Sequence, residues 1–514
     1  MKFIIQRRDF TDLIIQPELD FAVERYNWST TGGPKQARIT ATGDRAELFS
    51  LLNHLRAPVE ILNDNGEAVW WGFINAVNIN WDGIGFGCDL DSMSNDVAVA
   101  YTDQNIRFTT AWSSDADSVA EYGQKEILLT IADATATDAL QRRDTYLAGA
   151  KYPTPVLQAS GARTGSAKIT CVGWINMLDW RYYANATGKE SYEDIGNEGR
   201  EIGEDDRPIA AQSFQIEAAT AWNASSVWLH VWKEGAPTDN LVVSLKSDTA
   251  GVPDATLASA TVAGADIGEY SDWVEFTLSA SVALQPATTY WIHVARSGAV
   301  DADNFFMVSK NIDAGYPRGI VKVYNTTLSS WVEEGDWHGD INFMVVGVLQ
   351  TTDQITALVT ACGEYFQGTI IEDVSGVDTN PYRDGDSLAL YELESLLATG
   401  TTNNRRLLCE VTRNRYLRVY EEPARPAAIN ASYALGNSGV LTTQYLTYVD
   451  NTLCPVGEWC HLADVVPATV DLSIISDPNL FLIEEAEVDA GSSKYSITKT
   501  RNQADVWNFG IEQG

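Results

Sequence analysis

No stretch of this sequence reaches the roughly 18 uncharged apolar residues that a membrane-spanning helix needs, so no membrane anchor is expected. The opening segment MKFIIQRRDFTDLII lacks the long apolar core and small-residue cleavage site of a secretory leader. It reads as a first strand, and assembly in the cytoplasm is the expectation. Positive charge is also short: 35 Lys and Arg face 70 Asp and Glu, leaving a net charge of -35. That balance excludes nucleic-acid binding by counterion release. It favours solubility, and it suits a wall past which DNA slides as cargo without sticking. Histidine is scarce, with five residues, and none of them sits in a G-x-S-x-G, H-E-x-x-H or C-x-x-C setting. The six cysteines are scattered and form no disulfide framework. Cys454, Cys460 and His461 cluster, but their spacing matches no common zinc pattern, so no metal is expected.

Phosphate-cradling loops are missing too. Gly83, Gly85 and Gly87 lie in a strand-like run with no helix after it, which points to a bend or a close strand approach rather than a dinucleotide site. Paired carboxylates cannot be judged by spacing alone. Glu333, Glu334 and Asp336, beside Trp331 and Trp337, form the most suggestive group and read as turn residues on a solvated edge. Asp301, Asp303 and Asn304 read as an oxygen-rich turn rather than a calcium site. No catalytic residue and no cofactor are therefore expected, and the chain reads as a non-enzyme.

What is present is aromatic and strand-rich: 16 Trp and 21 Tyr argue for packed cores. The length suggests about three or four domains, and the fold class is α+β, mainly β. Residues 1–105 read as a small β-barrel with one helix, capped at Asp44 with Glu47 in a capping box. Within them Asn65-Gly66 reads as a type I′ turn before Val69-Trp70-Trp71-Gly72-Phe73-Ile74. Residues 106–190 read as the first part of an α/β domain, with a helix over 134–150. Residues 191–206, polar and acidic, read as a linker. Residues 207–350 read as an inserted β-sandwich of jelly-roll type, because short apolar runs alternate with turn clusters at regular spacing. Helices over 352–366 and 387–399, then a hairpin turning near Arg413-Asn414, make 351–422 the second part of the α/β domain. Residues 423–514 read as a C-terminal barrel-like domain.

Alternation singles out one face of the insert. In Val227-Trp228-Leu229-His230-Val231-Trp232 the aliphatic residues share one side and Trp228, His230 and Trp232 the other. Aliphatics make the better core, so Trp228, His230 and Trp232, with Trp331 and Trp337, are candidate contacts for a glycan or a protein partner.

Four segments in chain order resemble the tail-tip, or baseplate, hub proteins of tailed bacteriophages. They are Trp28-Ser29-Thr30-Thr31-Gly32-Gly33; Gly66 followed by Trp70-Trp71-Gly72-Phe73-Ile74; Ser118-x-x-x-Tyr122-Gly123-x-x-Glu126; and Arg405-Arg406-Leu407-Leu408 with Tyr420-Glu421-Glu422-Pro423. They cover 1–190 and 350–514, and the sandwich stands outside. Within it, Ala211 to Phe214, Asp248-x-x-Gly251-x-Pro253 and Leu284-x-x-x-Thr288-x-Tyr290-Trp291-Ile292 are similar to jelly-roll modules that decorate virions. The resemblance implies a homotrimer whose paired barrels form a pseudo-sixfold ring at the virion tail tip. Its implied partners are the tail tube or distal tail protein, the tape measure protein, a tail fibre or receptor-binding protein, and cell-surface glycan through the insert. Two other readings stay open from the residues: a carbohydrate-active enzyme with a binding module, and a surface adhesin.

Overall fold

The structure is a computed structural model. It describes residues 1–514 apart from 15, 17, 104–105, 160–164, 197, 204–207, 313–314, 334–338, 404, 424–428, 432–445, 449–455, 463–479, 492–493 and 503–514. Strand (54%) far outweighs helix (15%), and the chain is α+β, mainly β. It divides into two units, Met1–Tyr183 with Thr352–Val377 and Asp386–Gly514, and Ala184–Thr351 with Asp378–Gly385. Each has its own hydrophobic core.

The first unit, the body, is built around 17 strands that join into one curled half-barrel. Strand Ser166–Val172 lies between Thr31–Gly43 and Ala68–Trp81, antiparallel to both. Alternation puts Ile39, Ala41, Val77, Ile79 and Ile169 inside, each essentially without exposure. Burying such a side chain is worth roughly 1.5–3 kcal/mol. A separate small sheet holds Asp96–Asp103 and Glu126–Ile131 in parallel, with helix Ala136–Ala150 packed on the former. The α/β part thus begins near Asp96 rather than 106, because the buried apolar run Val97–Ala100 pairs with Ile127–Thr130.

Local chemistry matches some expectations and corrects others. Helix Arg45–Ser50 starts after Asp44, but the Asp44 side chain makes no cap hydrogen bond. The capping box forms instead at Thr135 and Asp138, ahead of Ala136–Ala150. At Asn65-Gly66 only Gly66 is left-handed (φ +83°). The Asn63 carboxamide oxygen accepts from the amides of Asn65 and Glu67, giving a three-residue loop with a bulge and not a type I′ turn. Helices Thr351–Cys362 and Ala389–Thr399 and hairpin Leu407–Val411/Tyr416–Glu421 stand close to where they were expected. Much of 423–514 lies outside the described residues. Its hairpin Leu480–Asp489/Lys494–Asn502 pairs with Leu19–Ser29 of the body sheet.

The second unit is an antiparallel sandwich. One sheet comprises Lys189–Tyr192, Phe343–Gly347, Trp222–Glu234, Phe305–Asn311 and Glu198–Ile202, with Asp272–Leu284 also on Trp222–Glu234 and Asp340–Ile341 on Phe305–Asn311. The other runs Val252–Ala263, Asn240–Thr249, Tyr290–Arg296, Ile209–Phe214, Val321–Asn325, Ser330–Glu333. The expected linker 191–206 is therefore corrected: it supplies sandwich strands. Its polar look has a physical source. Glu190 and Arg200 point inward, and the Glu190 carboxylate accepts from Tyr316 Oη at 2.8 Å, Arg318 Nη2 at 2.7 Å and the Glu217 amide at 2.7 Å. A buried charge persists when its lone pairs are taken up in this way. The incoming and outgoing strands, Lys189–Tyr192 and Phe343–Gly347, pair with each other, Lys189 opposite Val346.

Candidate functional site

Strand Trp222–Glu234 sets the geometry. Val227, Leu229 and Val231 are buried in the sandwich core, so Trp228, His230 and Trp232 face outward, each half-buried. Register assembles their neighbours. Across one flank Glu275 lies opposite Trp228 and Trp273 opposite His230. Across the other, Met344 lies opposite Trp228 and Met307 opposite Trp232. Residues directly opposite share a face, so three tryptophans, a histidine and two methionines form one outward surface.

Its members are held in place. The His230 and Trp273 rings meet edge-on at 5.4 Å and 62°. Trp232 Nε1 donates to Glu234 Oε1 at 3.2 Å. Its indole lies across Gly199, where a Cβ would fall 2.5 Å from the ring and 2.6 Å from Met307 Cε, so only glycine admits this packing. Burial lowers the His230 pKa below the ordinary imidazole value, leaving the ring neutral near pH 7. The surface thus offers flat π faces, polarisable thioethers and neutral ring nitrogen, a chemistry of stacking and hydrogen bonding.

The structure separates the sequence candidates. Trp331 sits on strand Ser330–Glu333 of the other sheet and faces outward on the opposite side of the sandwich. There its ring meets Tyr324 at 5.5 Å and His293 at 5.8 Å. It does not join Trp228, His230 and Trp232. Trp337, with Glu334 and Asp336, lies outside the described residues. Trp273, Met307 and Met344 were missed. The sequence does signal Trp273, since Trp273 and Glu275 alternate with Val274 and Phe276; the methionines needed the cross-strand register.

Other candidates resolve into structure. Asp301 accepts from the Asp303 amide at 3.0 Å and Asn304 Nδ2 at 3.1 Å, and Asn304 Oδ1 accepts from the Ala236 amide at 2.7 Å, which makes a self-satisfied turn. Gly85 and Gly87 lie in hairpin Ala68–Trp81/Ile84–Asp89, where a Cβ at Gly87 would sit 2.5 Å from Asn78 Oδ1. Cys460 is buried; Cys454 and the His461 side chain lie outside the described residues. Among the described residues no group of three or more His, Cys, Asp or Glu is placed to hold a metal ion.

The body explains the motif residues. The Trp28 and Trp71 rings meet edge-on at 5.1 Å; Trp28 Nε1 donates to the Val69 carbonyl and Trp71 Nε1 to the Val411 carbonyl. The Cys409 amide donates to the Thr30 carbonyl, and the Thr30 amide to Glu484. Segments 28–33, 70–74, 407–411 and 484 thus converge. Ser118 is fully buried and accepts from Asn95 Nδ2 at 3.1 Å, while the same Nδ2 donates to the Gly123 carbonyl at 2.8 Å. Glu126 accepts from Arg181 Nε at 2.8 Å.

No protein-family model and no curated protein matches the chain. Among solved structures it is similar to the Cry4Aa mosquito-larvicidal toxin of Bacillus thuringiensis, at 9% identity and TM-score 0.16 over 58% of this chain and 52% of that one. It is also similar to a glycoside hydrolase family 43 arabinoxylan arabinofuranohydrolase of Bacillus subtilis, at 11% identity and TM-score 0.16 over 53% of this chain and 63% of that one. A third is the VP2 subviral particle of infectious bursal disease virus, at 10% identity and TM-score 0.17 over 65% and 77% of the two chains. The chain thus covers less than two thirds of the first two.

Proposed function

We propose that the chain is a non-enzymatic assembly protein of the tail-tip hub type, whose inserted sandwich presents the Trp228–His230–Trp232 face to a partner. The observation that carries this reading is the convergence in one body of the segments Trp28–Gly33 and Trp70–Ile74 with strand Leu407–Val411, which lies far away in sequence. Trp28, Trp71, Thr30, Cys409 and Val411 are tied by backbone and indole hydrogen bonds across more than half the chain. A body closed from both ends of the chain, with a domain carried on adjacent strands, suits a ring subunit that must hold shape while displaying an appendage. In this reading three copies form a pseudo-sixfold ring at the virion tail tip. The ring closes the tail tube, meets the distal tail and tape measure proteins, and links to a fibre or receptor-binding protein. The net charge of -35 lets DNA pass without adhering. The outward aromatic face suits cell-surface glycan, since every sugar ring has an apolar side that stacks on indole.

The deciding experiment is the solution mass of the purified chain, alone and with tail-tube protein. A trimer, or a trimer formed only on the tube, is expected. The double variant Trp228→Ala, Trp232→Ala is expected to assemble as wild type and to lose retention on host-surface polysaccharide by tenfold or more. A strict monomer that ignores the tube overturns the hub reading, and turnover of polysaccharide would favour the carbohydrate-active enzyme.

A further inference from the structure

The body contains a buried cation that makes no ion pair among the described residues. Arg56 follows the short helical turn Leu51–His54 and has a left-handed backbone (φ +67°). This conformation is uncommon outside glycine. It turns the side chain inward, where only 4% of the residue is exposed. The guanidinium carbon lies 4.1 Å from the Tyr365 ring centroid and 5.6 Å from that of Trp174. Nη1 donates weakly to the Arg8 carbonyl at 3.4 Å, and Nε is buried with no hydrogen-bond partner among the described residues. No described carboxylate lies within ion-pair distance of it, and the groups that favour its charge are the Tyr365 hydroxyl and then the Glu364 carboxylate.

Desolvating a charge in this way is costly unless something pairs with it. Space for a partner exists. Arg56 lines a cavity of about 530 Å³ with Arg8, Ser114, Glu121, Gly123, Gln124 and Tyr365, among others. The cavity wall is shaped closely: a Cβ on Gly123 (φ +90°) would fall 1.6 Å from Tyr365 Oη. A third arginine, Arg415, donates to the Tyr365 carbonyl at 3.2 Å and stacks over Phe10 at 3.6 Å.

Two of the three acidic residues at the rim are engaged elsewhere. The Asp9 carboxylate accepts from the Thr11 amide at 3.1 Å and hydroxyl at 2.7 Å. Glu121 pairs with Arg8 at 3.0 Å, and Glu364 is exposed. Arg8 is itself fixed by donating to the Leu55 and Asn53 carbonyls, each at 3.0 Å.

We infer that this cavity is an oxyanion site, in which the Arg56 guanidinium receives a phosphate or carboxylate group and Arg8, held at the rim, adds its charge. A planar fork of N–H donors held between aromatic rings matches either ligand. Among the lining charges Arg8 and Arg56 face Asp9, Glu121 and Glu364, and Arg56 is the one held deepest, with its Nε unpaired among the described residues.

The test uses the full chain titrated with sodium phosphate and, separately, sodium acetate, at constant ionic strength balanced by chloride. Saturable heat in calorimetry and a rise in melting temperature are expected with at least one of them. Binding of phosphate alone assigns a phosphate-bearing ligand; binding of acetate as well extends the site to carboxylates. Arg56→Met is expected to weaken binding tenfold or more. Glu121→Gln frees Arg8 on a half-exposed rim, so it is expected to tighten binding severalfold and to fold normally. That second variant keeps the test decisive if Arg56→Met does not fold. No saturable binding of either anion to the wild type, equal binding by Arg56→Met, or unchanged affinity in Glu121→Gln would each overturn the site.

Discussion

His293 stands mid-strand in the second sandwich sheet, opposite Ala211 and Ser244, with Nδ1 buried and without a hydrogen-bond partner among the described residues. Burial, with Lys246 on the adjoining strand, lowers its pKa from the ordinary 6.5 to about 4. Lys322, Tyr324 and Trp331 complete its outward surroundings by register. The unfolded chain therefore takes up a proton on this residue before the folded chain does. Stability is full above pH 6.5 and falls as the pH drops toward 4, by at most about 1.4 kcal/mol per unit. His293→Gln is expected to flatten that slope in denaturant melts between pH 4 and 6.5; an unchanged slope would refute the assignment. At this scale the sequence was readable where side chains alternate. Val227, Leu229 and Val231 against Trp228, His230 and Trp232 is a local pattern of period two. Arg56 was hidden because a left-handed backbone at an arginine leaves no mark in composition. That Trp331 faces outward on the other sheet, apart from Trp228, was not legible because nothing near it in sequence states which sheet its strand will join.

Hairpin Leu480–Asp489/Lys494–Asn502 shows how an element far along the chain is fastened to its first strands. Glu484 has a nearly buried side chain and is paired with Arg406 at 3.5 Å, Lys499 at 3.2 Å and Arg501. Lys35 meets the neighbouring Glu485 at 2.7 Å. Arg501 is itself largely buried, so Glu484→Ala strands a cation in the interior. A loss of about 3–5 kcal/mol is expected from breaking a buried pair on one side, measured as a lower urea midpoint for the body. A loss below 1 kcal/mol would mean that solvent already screens the cluster. Elements rich in aliphatics were placed well from sequence, including both Leu-rich helices and the hairpin after Gly400. Those with charged inward residues were not. Residues 191–206 read as a linker because Arg200 and the acidic run look solvated, whereas Arg200 faces the sandwich interior beside Val308 across the sheet.

For the whole molecule, the two cores predict separable folding. Replacing residues 186–349 with a short Gly/Ser connector is expected to leave the body folded, since Lys189–Tyr192 and Phe343–Gly347 are neighbouring strands and their outer ends lie together. Circular dichroism and calorimetry of the shortened chain should keep the body's cooperative transition and lose one transition of the full chain. A chain that no longer melts cooperatively would show that the units are not independent. The order of body, sandwich and body was legible because composition changes sharply on both sides of the insert. The single curled sheet was not, because its closure depends on Leu19–Ser29 finding Leu480–Asp489, a pairing that no local pattern encodes.

The pairing of the incoming and outgoing strands also decides how the sandwich meets mechanical tension. A pull applied through its two flanks arrives at the same end of an antiparallel pair, Lys189 beside Val346. Cross-strand bonds loaded in that direction open one at a time, as a zipper does, instead of shearing together. The sandwich therefore yields to a stretch at low force by peeling from Lys189 inward, and the slack it releases shields whatever it holds from a sudden jerk on the body.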